Sequence, residues 1–68
     1  MELSARNQLR GTVKSVTLGN VMAEVIVDVG EHEIASAITR ASAERLGLAE
    51  GDAVVAVVKA TEVLLAKE

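Results

Sequence analysis

Two short stretches of this chain carry side chains suited to holding an anion. Ser4-Ala5-Arg6-Asn7-Gln8 sets a hydroxyl, a guanidinium and two carboxamides within five consecutive residues, just ahead of a strand-like run. All of these groups donate hydrogen bonds, and the guanidinium adds a permanent positive charge. Thr39-Arg40-Ala41-Ser42-Ala43 places two hydroxyls three positions apart on one face of what reads as a helix start. The first backbone N–H groups of a helix have no intrahelical acceptor, and its dipole favours negative charge there. Read locally, the plainer accounts are a polar N-terminal arm for the first stretch and N-capping for the second.

Covalent and metal chemistry are poorly served. There is no Cys, His32 is the single imidazole, and neither a G-x-S-x-G nor a P-loop sequence is present, so the chain does not read as an enzyme. His32 stands between Glu31 and Glu33, but on an extended segment it points to the opposite face from both carboxylates. It reads as a solvated histidine, with no metal bound by direct protein ligation and no catalytic cofactor expected. Asp28, Glu31 and Glu33 gather around a turn, where exposed charge is the ordinary finding.

The elements that must position the two stretches are mostly strands. Leu9 to Leu18 is rich in β-branched residues, and Gly19-Asn20 separates it from Val21 to Val29 as a tight two-residue hairpin loop would. In the second run Val21, Ala23, Val25, Val27 and Val29 share one wholly apolar face. His32 to Ile38 reads as a third strand. Thr39 to Gly47 reads as one short helix, capped by a hydroxyl at Thr39 or Ser42 and stopped by Gly47. Ala53 to Ala60 and Val63-Leu64-Leu65 read as two last strands. The order predicts a mainly β fold: a five-stranded, partly open barrel of the OB type, with its helix between the third and fourth strands.

No repeat, linker or low-complexity segment divides residues 1–68, which read as one domain. A chain of 68 residues buries too little apolar surface to be comfortably stable alone. Half of its residues are hydrophobic, yet it has no Phe, Trp or Tyr and no Cys for a disulfide. Self-association is the remaining way to cover its Val-rich faces, so a homo-oligomer is expected. The net charge of −3 leaves no long-range field for nucleic acid or anionic lipid, and no ring is available to stack on a base. No run approaches the roughly 20 apolar residues of a membrane span. Met1-Glu2-Leu3-Ser4-Ala5-Arg6 lacks the plan of a secretory signal, and a cytoplasmic location without membrane partners is expected.

Taken together, Ser4-Ala5-Arg6-Asn7-Gln8-Leu9, Ile38-Thr39 followed by Ser42-Ala43, Leu46-Gly47-Leu48 and Lys59-Ala60-Thr61 closely resemble the molbindin, or Mop-domain, pattern from about Ser4 to Ala66. The resemblance implies a single Mop-type barrel that binds molybdate or tungstate between the subunits of a hexamer, a trimer of dimers, for storage, buffering or molybdenum homeostasis. It implies a principal site made of Ser4, Arg6, Lys59 and the Ala60 backbone from one subunit, and of Thr39, Ser42 and the Ala43 backbone N–H from its neighbour. A second oxyanion position, near the threefold axis, falls at the backbone of Gly19, Asn20 and Val21. Two other readings of the residues stay open: an oligomeric interaction module without a small-molecule ligand, and an OB-type nucleic-acid binder.

Overall fold

The structure, a computed structural model, describes residues 4–68. Met1, Glu2 and Leu3, read above for a secretory signal, lie outside the described residues. Strand β1 spans Asn7–Leu18, β2 Met22–Val29, β3 His32–Thr39 and β4 Ala53–Val58; helix α1 spans Arg40–Leu46, and a 3-10 turn, Ala60–Glu62, follows β4. The strands form one antiparallel sheet in the order β3-β2-β1-β4.

The alternation in β2 decides which face turns inward. Ala23, Val25 and Val27 are buried, and Val13 of β1 completes the core cluster with the two valines. Burying a side chain of this kind contributes roughly 1.5–3 kcal/mol. Val29 is half-buried at the margin, whereas Val21 falls before the strand and is exposed.

β1 serves two neighbours. Its first half, Asn7 to Thr12, pairs with β4, and Thr12 to Leu18 pairs with β2. The register passes from Val13 opposite Val27 to Ser15 opposite Ile26, so Lys14 is the extra residue of a β-bulge, which bends the strand and lets the sheet curl. Gly11 permits the tight crossing: a Cβ there would stand 2.4 Å from the Asp28 carbonyl oxygen. From the bulge the Lys14 ammonium pairs with the Glu33 carboxylate of β3.

Helix α1 starts and stops as its sequence predicts. Thr39 caps it by accepting from the Ser42 N–H at 3.1 Å, and Gly47, at φ 63°, sends its own N–H back to the Glu44 carbonyl. The Leu48 N–H returns to the Ala43 carbonyl at 3.2 Å and delivers Leu48 to the core.

Two expectations need correction, and a third, the fifth strand, is not formed within the sheet of the described residues. The β1–β2 turn lies one residue later than Gly19-Asn20: Gly19 donates to the Met22 carbonyl at 2.7 Å, leaving Asn20 and Val21 at the tip. Neither has positive φ, so the turn is not of the type that Asn-Gly pairs favour. β4 ends at Val58, which frees Lys59 and Ala60 from the ladder. Among the described residues only four strands form the sheet, and Val63-Leu64-Leu65 follow the 3-10 turn with no ladder partner. Leu64 and Leu65 are 91% and 93% exposed, with nothing among the described residues placed to cover them. The sheet meanwhile curls until Ile34, Ser36 and Ile38 of β3 and Val54, Ala56 and Val58 of β4 line one apolar cavity of ≈ 310 Å³, although the two strands share no ladder.

Candidate functional site

The β1–β4 ladder assembles the first half of the site. Asn7, the first residue of β1, pairs with Val58, the last of β4. The residues just outside that pair, Arg6 and Lys59, therefore leave the sheet side by side. They open onto a cleft of ≈ 490 Å³ whose walls include Ser4, Arg6, Lys59, Ala60 and Thr61. Four predicted residues, drawn from opposite ends of the chain, meet there. Gln8 is not among them: its side-chain amide donates to the Ala5 carbonyl at 2.9 Å and holds the arm in place.

Lys14 is paired with Glu33 and Arg40 with Glu44, whereas among the described residues neither Arg6 nor Lys59 meets a carboxylate. Among the described residues no acidic side chain lines the cleft. Two adjacent cations that meet no described carboxylate, with hydroxyls beside them, suit a small dianion. In the 3-10 turn the Glu62 and Val63 amides return to the Lys59 and Ala60 carbonyls, and the Ala60 amide takes no part in those bonds.

The second group sits at α1. Thr39 Oγ1 accepts from the Ser42 N–H and donates to Ser42 Oγ at 2.8 Å, and Arg45 Nη2 donates to the same Ser42 oxygen at 3.3 Å. Both lone pairs of Ser42 are thus filled, and what remains to it is one O–H to give outward. Arg45 pairs with no carboxylate among the described residues. Sequence reasoning missed Arg45; its signal is the i, i+3 spacing from Ser42, which puts the two on one helix face. Ala43 is buried, and its amide lies one turn into the helix, opposite the Thr39 carbonyl. None of Thr39, Ser42 and Ala43 lines the Ser4–Lys59 cleft, so a single chain does not unite the two groups.

The turn at Gly19, Asn20 and Val21 is tied to the same helix. The Arg40 N–H donates to the Val21 carbonyl at 2.8 Å and its guanidinium to the Gly19 carbonyl at 3.2 Å. The Gly19 amide already donates to Met22, while those of Asn20 and Val21 take no part in these bonds. His32, Glu31 and Glu33 are exposed around the β2–β3 turn, and among the described residues no three potential ligands come together for a metal ion. No helix among them is long and apolar enough to cross a membrane.

Comparison with known proteins places this geometry in a family. The family model described as "TOBE domain" matches residues 3–65. Molybdenum-pterin-binding protein 2 of Clostridium pasteurianum is 46% identical over 66 residues, 96% of this chain and 97% of that one. The molybdenum transport protein ModE of Azotobacter vinelandii is 48% identical over 69 residues, which cover 100% of this chain but 26% of ModE. Among solved structures, a molybdate-binding protein from Sporomusa ovata superposes with a TM-score of 0.94 at 45% identity, covering 98% of this chain and 100% of that one. MopII from Clostridium pasteurianum, in an apo form, gives 0.91 at 43% identity, covering 97% and 100%. With the match running over nearly its whole length in sequence and in structure, the chain belongs to the TOBE-domain family and, within it, to the molbindins.

Proposed function

We propose that this protein binds molybdate, and tungstate in its place, as a non-catalytic oxyanion store or buffer, at sites shared between its own subunits. The observation that carries the reading is the cleft in which Ser4, Arg6, Lys59 and Ala60 converge with no neutralising carboxylate among the described residues. The relatives add the ligand: they are named for binding molybdenum species, one neighbour being the cytoplasmic molybdate-binding protein ModG in a molybdate-bound form.

A group-6 oxyanion presents only oxygens, so it is held by donors and not by Cys or His. Arg6 and Lys59 offset its two charges, and hydroxyls and amides reach its corners. Each charge-assisted bond contributes roughly 1.5–3 kcal/mol before ordering costs. Thr39, Ser42 and the Ala43 amide of a neighbouring subunit close the other side in this reading, which accounts for their distance from the cleft in one chain. Sulfate is smaller and meets donors spaced for molybdate poorly. Phosphate is partly protonated near neutral pH and needs an acceptor, which a hydroxyl with both lone pairs filled does not offer. Asn20 and Val21, with Gly19, form the second, backbone-lined position.

The five-stranded OB-type barrel belongs to the same proposal. The unbonded β3 and β4 edges flank an apolar slot, and Leu64 and Leu65 stand exposed. A fifth strand over residues 63–65 that packs against another copy relieves both, and links closure of the barrel to assembly of the hexamer. A cytoplasmic location fits a molecule that takes up free oxyanion.

Calorimetric titration of the ligand-stripped protein with molybdate, tungstate and sulfate, alongside its mass by light scattering, tests the reading. Tight binding of the first two on an oligomer, with a ligand-dependent rise in melting temperature, is the expected result. Absence of binding by all three removes the oxyanion function and leaves an assembly module.

A further inference from the structure

The cleft contains one more hydrogen-bonding side chain than the family resemblance assigns to it. Thr61 follows Lys59 and Ala60 in the 3-10 turn, lines the cleft with Ser4 and Arg6, and is exposed. Its hydroxyl makes no hydrogen bond among the described residues, in contrast to Thr39, whose hydroxyl is engaged twice within α1. The 3-10 turn takes no side-chain cap either, so the threonine is not held there by a capping role. We infer that Thr61 is a further ligand of the oxyanion, its O–H donating to the anion from the cleft wall that carries Lys59. This rests on the oxyanion reading of the cleft.

Chemistry supports a hydroxyl at that place. The Lys59 ammonium supplies charge but directs it diffusely, because it turns freely on a flexible stem. A short β-branched side chain is stiff at χ1 and loses little entropy when it donates, so Thr61 contributes direction where Lys59 contributes charge. Ser4, ahead of β1, brings a second hydroxyl to the same cleft.

The test is calorimetric titration with molybdate of the intact oligomer in three variants: Thr61→Val, which keeps the shape and removes the O–H; Thr61→Ser, which restores it; and Lys59→Ala. Expected are an affinity about tenfold weaker for Thr61→Val, recovery to within about threefold of the parent for Thr61→Ser, and an unchanged melting temperature of the ligand-free protein. Parent-like affinity in Thr61→Val while Lys59→Ala binds weakly removes Thr61 from the site and leaves the oxyanion reading standing. Parent-like affinity in both variants overturns both. A loss in Thr61→Val that Thr61→Ser does not restore, with a lowered melting temperature, assigns Thr61 a structural role and overturns the inference.

Discussion

Asn7 and Val58 are ladder partners, and that pairing brings Arg6 against Lys59 from opposite ends of the chain. Because the strands end at this pair, both cations project beyond the sheet. Lys59→Ala leaves the ladder intact and removes half of the cleft's positive charge. Titration with molybdate is expected to show an affinity lower by roughly ten- to a hundredfold, with assembly retained in light scattering. Unchanged affinity excludes Lys59 from the site.

Arg45 fixes the sense of the Ser42 hydroxyl by donating to it. Arg45→Met frees a lone pair on Ser42, which then accepts from a protonated oxyanion. Competition titrations at neutral pH are expected to show weaker molybdate binding and a molybdate-to-phosphate preference reduced by about tenfold. If the preference is that of the parent protein, the selectivity lies elsewhere.

The exposed leucines at the C-terminus belong to assembly in this account. Leu64→Asp combined with Leu65→Asp puts two charges where apolar surface would be covered, and light scattering is expected to report smaller species at concentrations where the parent protein is oligomeric. An unchanged mass shows that the tail is not part of the interface.

The Lys14 ammonium is held above the ordinary lysine range by its hydrogen bond to Glu33 and by the charge of that carboxylate. A raised folded-state pKa means that the pair's stabilisation is complete below the lysine range and is lost as the pH climbs through the raised value. Both side chains are more than half exposed, so the effect is small. Thermal unfolding followed up to strongly alkaline pH is expected to fall slightly more steeply for the parent than for Lys14→Met; identical slopes contradict the coupling.

Much of this fold is legible in the amino-acid sequence. The alternation around Ala23, Val25 and Val27 marks the buried face, and Thr39 with Gly47 marks both ends of the helix. The bulge at Lys14 is not legible, since one extra residue in a long strand leaves the polar and apolar pattern almost unchanged. The tip at Asn20 and Val21 is displaced for a different reason: Gly19-Asn20 imitates a tight-turn signal, while the Gly19 bond to Met22 and the grip of Arg40 decide the conformation. The last strand is signalled by apolar residues alone, and such residues cannot say whether their partner lies in the same chain. Of the candidate site, the donor residues at both ends of the chain are legible as types. Their meeting depends on the β1–β4 register; Arg45 is signalled only by its i, i+3 spacing from Ser42, and the place of Thr61 in the cleft emerges only once its neighbours are known.

In the proposed assembly the oxyanion lies between subunits, held by Ser4, Arg6 and Lys59 of one and by Thr39 and Ser42 of the next. Subunit mixing tests this most directly. Lys59→Ala and Ser42→Ala proteins, each weak in molybdate binding, are unfolded together in equal amounts, refolded, and titrated with molybdate. If the two halves come from different chains, about one site in four regains both intact halves and binds with the affinity of the parent protein. If both halves belong to one chain, no intact site can form, and a mixture that binds no better than its components contradicts the account.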